Sequence, residues 1–169
     1  MIILFEILLL VGIVLLDLSS KALMVNLLEV ENHYGDRVIT VIKGVLSFDY
    51  GENTGAGFGI FQGNAKLLAW VTLIFMLAIA GYLFFYRKDH TLLRLALFFV
   101  LGGGLGNLVD RFSLGYVRDF IRFDFIDFPV FNLADTFITF GGVMLVAYAV
   151  LVLPGEIKAE KRAKEKSDG

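Results

Sequence analysis

The sequence predicts a mainly α membrane protein, with four transmembrane helices and a small extracytoplasmic β-cradle between helices 1 and 2. Hydrophobic residues make up 57% of the 169-residue chain and the mean hydropathy is +0.76, whereas soluble domains are roughly 45–50% apolar. Four apolar segments, running about 2–24, 65–86, 91–109 and 131–153, reach or approach the roughly 20 residues that cross about 30 Å of hydrocarbon as a helix. Between the first two, Arg37 to Tyr50 is rich in β-branched and aromatic residues and is broken at Lys43-Gly44, which reads as two short strands in a hairpin.

The first segment carries Glu6 and Asp17 and lacks both a basic start and a small-residue cleavage site, so it reads as a retained span rather than a signal peptide. Beyond the hairpin, Gly51, Gly55, Gly57 and Gly59 mark a tight loop toward the second span, and the outer β segment covers about 37–59. Arg87, Lys88 and Arg94 lie between spans two and three, and Lys158, Lys161, Arg162, Lys164 and Lys166 follow Pro154. Basic residues favour the cytoplasmic side. Both termini are therefore placed inside, with about 25–64 and 110–130 outside. Because Arg37, Lys43, Arg118 and Arg122 fall in the outer connectors, the bias is moderate. The stretch Arg122-Phe123-Asp124-Phe125-Ile126-Asp127-Phe128 partly alternates polar with apolar, as an extended segment on a bilayer surface does. Residues 1–153 form one integral-membrane domain, and 154–169 are a charged cytoplasmic tail, a solvated helix or disorder.

A net charge of −2 argues against a nucleic-acid partner, and the absence of cysteine removes disulfides, thiolate metal sites and a cysteine nucleophile together. The two histidines, His33 and His90, stand far apart with no metal-binding spacing, so neither metal nor cofactor is expected.

Chemistry is best sought at ionisable groups near hydrocarbon, which are costly and mark functional sites. Asp119 and Asp135 flank the start of the last span. A water activated between two carboxylates, one charged and one protonated, is the hydrolytic option left without Cys, a placed His or a credible Ser. Like charges at close range drive proton affinities apart, so one group serves as base and its partner as acid. For Asp135 alone, complementing a helix amino terminus is the simpler role. Asp17 and Lys21 are spaced i, i+4 on one helix face and read first as a structural ion pair. Ser19 and Ser20 adjoin Lys21, raising a serine/lysine hydrolase, but helix neighbours do not face each other, and that dyad needs a serine from elsewhere. In Gly102-Gly103-Gly104-Leu105-Gly106-Asn107-Leu108-Val109-Asp110-Arg111, the small residues allow close helix approach, and Asn107, Asp110 and Arg111 share a face. That run is balanced between packing and holding a substrate backbone.

Together these motifs resemble signal peptidase II, the bacterial membrane aspartic endopeptidase family. The resemblance rests on Asp17 with Lys21, Asn53-Thr54-Gly55-Ala56-Gly57-Phe58-Gly59, Gly106-Asn107-Leu108-Val109-Asp110-Arg111, Val117-Arg118-Asp119-Phe120, and Phe131-Asn132-Leu133-Ala134-Asp135, in order across Asp17 to Gly142. Gly57 departs from the family's frequent alanine. The resemblance implies removal of the signal peptide from a diacylglyceryl-modified prolipoprotein, immediately before its lipidated cysteine, at the outer face of the bacterial cytoplasmic membrane. It makes Asp119 and Asp135 the catalytic dyad. Asn53, Gly55, Asn107, Arg111 and Asn132 become substrate-binding or dyad-supporting residues, and Asp17, Lys21 and Asp110 structural support. Partners are prolipoproteins and membrane lipid, with inhibition by globomycin-type cyclic peptides. Asp124 and Asp127 are excluded only by the Val-x-Asp-Phe match. A small proton-coupled transporter and a noncatalytic membrane scaffold are the rivals. Against the first, both aspartates lie toward one interface and no inverted repeat is visible.

Overall fold

In the computed structural model of the protein, the described residues are 2–31, 34–35, 37–55, 63–86 and 90–167. His33, Arg87, Lys88 and the part of the glycine-rich loop from Ala56 to Gly59 lie outside them. Among the described residues, four helices are long and apolar enough to cross a membrane. They are α1 (Ile2–Leu27), α2 (Ala65–Phe85), α3 (Thr91–Ser113) and the helix that starts with α4 (Leu133–Ala147). The last continues through a π-helical turn, Tyr148–Val152, into α5 (Leu153–Ser167). Pro154 sits at that join, where its missing N–H removes a regular helix bond.

Helix α3 is the centre of the bundle because its glycines let three other helices touch its backbone. A Cβ on Gly102 would lie 2.7 Å from Ile13 of α1, and one on Gly104 would strike Met76 of α2. On Gly103 it would strike the Ala134 carbonyl of α4, and on Gly106 the Asp17 carboxylate of α1. Lipid tails are as apolar as leucine, so helices in a bilayer associate through this kind of close backbone packing rather than through a hydrophobic drive. Met76, Leu83, Phe98 and Leu101 fill the space between α2 and α3, with Leu9 and Leu10 of α1 packed against them.

At the opposite end of α3 from the aspartates, Arg94 is buried and donates from Nε and an Nη to the two Glu6 carboxylate oxygens at 2.7 and 2.8 Å. Its other Nη donates to the Leu83 and Tyr86 carbonyls at the end of α2. Arg94 is thus a clamp across three helices. In the sequence, its position at the connector places it among the charges that mark the cytoplasmic surface; Glu6, distant in sequence, removes it from that surface.

On the outer side, β1 (Val30–Glu31) pairs with β2 (Tyr34–Gly35), and β3 (Ile39–Ile42), β4 (Leu46–Asn53) and β5 (Val117–Phe123) form an antiparallel sheet in that order. The β3–β4 hairpin turns where Lys43-Gly44 marks it, with Gly44 at φ 72°, a conformation glycine adopts without steric cost. The third strand comes from the connector between α3 and α4, so the sheet is not built from the α1–α2 segment alone. It also lies earlier than the alternating stretch 122–128, and the chain bends at 124–126. Burial decides the difference. Phe120 packs with Met24 and Leu28 beneath the sheet and meets Phe48 edge-on at 6.1 Å, while Asp124 and Asp127 are exposed.

Gly103→Ala should lower the melting temperature in detergent, equivalent to about 1–3 kcal/mol of overpacking against backbone. Gly142→Ala, where an added Cβ meets nothing within 4 Å, should leave it unchanged or raised. Equal effects at the two positions would contradict the central role of α3.

Candidate active site

Strand β5 alternates its side chains, so Phe120 points into the core under the sheet while Asp119 points the other way, into a cleft. A bulge in β4 between Phe48 and Gly51 resets the pairing, bringing Gly51 opposite Asp119 and Asn53 opposite Val117. Bulges re-aim side chains beside sites. Asn53 at the strand end donates from Nδ2 to Asp119 Oδ2 at 3.1 Å, while its Oδ1 accepts the Gly55 N–H at 3.0 Å.

Asn132 caps α4. Its Oδ1 accepts the Asp135 N–H at 2.9 Å, and Asp135 Oδ2 accepts the Asn132 N–H at 3.2 Å, a reciprocal capping box. The helix therefore starts at Leu133, two residues later than the apolar run suggests. The free end of the same side chain donates to Asp119 Oδ1 at 2.6 Å. Both carboxyl groups thus touch one residue, Asn132. Asn107 of α3 completes the set by donating from Nδ2 to Asp135 Oδ1 at 2.8 Å.

Behind these groups lies a cluster of charges. Lys21 Nζ contacts Asp17 Oδ2 at 2.7 Å, Asp110 Oδ2 at 3.3 Å and Asn107 Oδ1 at 2.9 Å, and the side chains of Lys21, Asp17 and Asp110 are wholly buried. Asp17 Oδ1 accepts the Ala134 N–H in the first turn of α4. Asp110 accepts the Arg118 N–H and guanidinium, at 2.6 Å for the shortest bond. Two carboxylates and two cations leave the cluster neutral, as low dielectric requires.

The cleft holds about 780 Å³ and is bounded by β4, β5, the ends of α3 and α4, and the segment from Phe128 to Phe131. Asn53, Thr54, Asn107, Arg111, Asp119 and Asp135 form its polar side. Its far side follows α4 through Ile138, Phe140 and Val143, about 12 Å down the helix from Asp135, and Phe140 and Val143 are more than half exposed. Arg111 reaches across the mouth to donate to the Gly55 carbonyl at 3.0 Å. Burial, and next the neighbouring Asp135, push the Asp119 carboxyl up to about 7, against the bonds from Asn53 and Asn132 and the more distant charge of Lys21.

The chain matches the family model described as Signal peptidase (SPase) II over residues 9–151. It belongs to the signal peptidase II family. It is 34% identical over 148 residues to a lipoprotein signal peptidase of Clostridium tetani, covering 86% of this chain and 92% of that one. Against the lipoprotein signal peptidase of Microcystis aeruginosa it is 40% identical, covering 78% of this chain and 83% of that protein. Among solved structures, a bacterial membrane enzyme determined by the in meso method at 2.3 Å superposes with a TM-score of 0.75 at 27% identity, over 86% of this chain and 87% of the other. The protein is a multi-pass membrane peptidase, and the transporter and scaffold alternatives fall away.

Every site residue singled out from this signal peptidase II sequence lies in or directly behind the cleft. Asn53, Gly55, Asn107, Arg111, Asp119 and Asp135 line it, Asn132 bridges the two carboxyls, and Asp17, Lys21 and Asp110 stand behind Asn107. The serine/lysine arrangement does not form. Lys21 is occupied by two carboxylates and an amide, Ser20 Oγ donates to the Asp17 carbonyl, and Ser47 donates to Asp124. Asp124, held below the usual carboxylate range by Ser47 and Arg122, sits outside the cleft. His90 Nδ1 accepts the Leu92 N–H at the start of α3. Sequence reasoning missed Arg118 as the partner of Asp110, although Asp110 and Arg118 appear in adjacent motifs, and it missed the apolar wall on α4.

Asn132→Ser should keep the helix cap, since a serine oxygen accepts the same N–H, while removing the amide that reaches Asp119. Melting should stay within about 1 kcal/mol of wild type, with peptidase activity strongly reduced. Asn132→Leu should lose both. Full activity in the serine variant would mean that the amide of Asn132 has no part in the site.

Proposed function

We propose that the protein is a membrane aspartic endopeptidase that removes signal peptides from diacylglyceryl-modified prolipoproteins, cutting immediately before the lipidated cysteine with Asp119 and Asp135 as its dyad. The observation that carries the reading is the double engagement of Asn132, whose side chain binds Asp119 and whose backbone N–H binds Asp135. A carboxylate of the pair takes a proton from water as the water oxygen bonds to the scissile carbonyl carbon. The protonated partner gives its proton to the carbonyl oxygen. The gem-diol then breaks its C–N bond as the amine leaves with the proton taken from water, and the hydroxyl proton returns to the second aspartate. The mechanism requires no metal: the cleft supplies two carboxyls and the carboxamides of Asn53 and Asn107 to hold and activate water.

The cleft also suits a lipidated substrate. Its polar mouth holds the peptide through Asn53, Gly55 and Arg111, and the open apolar wall on α4 receives acyl chains, each buried methylene contributing about 0.8 kcal/mol. Globomycin-type cyclic peptides are expected to inhibit at the same place. The proposed setting is the bacterial cytoplasmic membrane with both termini inside and the cleft facing out. It rests on the exposed basic residues of α5, among them Lys158, Lys161 and Arg162, since Arg94 is engaged elsewhere. In the same reading residues 1–153 are the catalytic domain and 154–169 a cytoplasmic tail.

Asp119→Asn and Asp135→Asn should each lower cleavage of a diacylated prolipoprotein by about a thousandfold or more, with the double variant scarcely worse, while Asp124→Asn and Asp127→Asn remain active. Near wild-type turnover in either dyad variant would remove the assignment. With Asp119, whose carboxyl lies near 7, as the member that carries the proton, activity should decline as pH rises through about 7.

Exhaustive chelation should leave activity intact; loss restored by one divalent ion would overturn the dyad mechanism. Reporters fused after Gly63 or Arg122 should read the outer compartment and those at Lys88 or Lys164 the cytoplasm. Reversed readings would invert the placement of the cleft.

A further inference from the structure

Three carboxamides face the two carboxyl groups, and what holds each of them differs. A carboxamide's two ends are distinguished by their hydrogen-bond partners, and a group that can only donate forces the oxygen toward itself. For Asn53 that group is the Gly55 N–H, and for Asn132 it is the Asp135 N–H. Both are backbone donors. Their amide NH2 ends are thereby turned onto Asp119, at 3.1 and 2.6 Å. Among the described residues, Asn107 has no backbone donor. Its oxygen accepts from Lys21 Nζ at 2.9 Å and from Asn132 Nδ2 at 3.1 Å, and its NH2 end points at Asp135 Oδ1. An ammonium has three donors and no acceptor, and those of Lys21 face Asp17, Asp110 and Asn107.

We propose that Lys21 is a positioning residue for the reaction: by holding the Asn107 oxygen it keeps the amide NH2 on Asp135, which makes Asp135 the carboxylate that activates water and leaves the proton on Asp119. Asp135 then accepts an amide N–H and the Asn132 backbone N–H at a helix amino terminus, three influences that favour negative charge. Were Asn107 turned over, its oxygen would face Asp135, an arrangement compatible with a protonated Asp135 and opposed to a charged one. The acid and base would exchange places. Asp119, buried on the cleft side of β5 with its carboxyl near 7, is the group suited to carry the proton. The charged and titratable groups around the pair are Asp17 and Lys21 from α1, Asp110 and Arg111 from α3, Arg118 from β5 and Glu52 from β4. Of these, Lys21 is the one that bonds to Asn107. Without its ammonium the Asn107 oxygen keeps only the 3.1 Å bond from Asn132 Nδ2, while Asp17 and Asp110 compete for the Asn107 NH2 and draw it away from Asp135.

The inference rests on the dyad reading, and its test separates the two. Full-length enzyme in lipid nanodiscs is assayed across pH with a fluorescent diacylated prolipoprotein peptide, for Lys21→Met and for Asp17→Asn/Lys21→Met, which removes the orphaned carboxylate along with the cation. The expected result, in whichever variant melts near wild type, is kcat lower by about a hundredfold with KM within about twofold. The acid limb of the kcat profile should move up by about one pH unit or more. A folded variant with an unshifted acid limb overturns the proposal, and so does failure of both variants to fold, which would make the role of Lys21 structural. Asp135→Asn runs alongside. If it cleaves, the dyad reading itself is lost, a result distinct from an unshifted limb in an enzyme that still needs Asp135.

Discussion

The structure depends on one cation taken out of water. Lys21 has no accessible side-chain surface, and an ammonium in such a place is costly by several kcal/mol unless acceptors surround it. The acceptors come from its own helix through Asp17 and from α3 through Asp110 and Asn107. Through Asp17 the cluster reaches the first turn of α4, and through Asp110 it reaches β5. Each contact exists at only one relative height of the elements. The cluster therefore sets vertical register, a role for buried charge that does not depend on a large net gain in stability.

Glycines set the other coordinate. Those of α3 let α1, α2 and α4 approach to backbone contact, which fixes lateral spacing but would still permit sliding along the helix axes. Gly106 joins the two devices, because the space a side chain would occupy there is filled by the Asp17 carboxylate. At the far end, Arg94 and Glu6 repeat the principle with a bidentate pair that also closes the carbonyls of α2. With spacing and height both determined, Asn107, Asn132 and the β4 bulge can hold two carboxyl groups at hydrogen-bond precision.

Much of this was legible in the sequence, for identifiable reasons. Spans follow from the thickness of hydrocarbon, which acts on every apolar run alike, and the β3–β4 hairpin from the glycine that its turn requires. Asp119 and Asp135 stood out because charge near lipid is anomalous. Strand β5 was displaced by several residues because alternation is visible from Arg122 to Phe128, whereas the burial that settles it, Phe120 on Met24 and Leu28, is a tertiary fact. The paired bonds from Asn132 and the clamp of Arg94 on Glu6 join residues whose meeting depends on register between helices. No local pattern encodes that. The amides could be named as site residues from their motifs, but which end of each faces a carboxyl follows only from the donors beside them.

The cap of α4 has a consequence for how the molecule comes to life. Asp135 is held by the same reciprocal bonds that start the final membrane helix, and Asp119 is held by an asparagine from that cap and another from the first outer hairpin. A nascent chain with three helices in place has one carboxyl without its bridge and lacks the other in its working position. Threading the fourth helix both completes the topology and brings the two carboxyl groups together, so under the proposed dyad an unfinished copy does not cleave its neighbours in the crowded membrane. On that reading biogenesis itself is the safety catch.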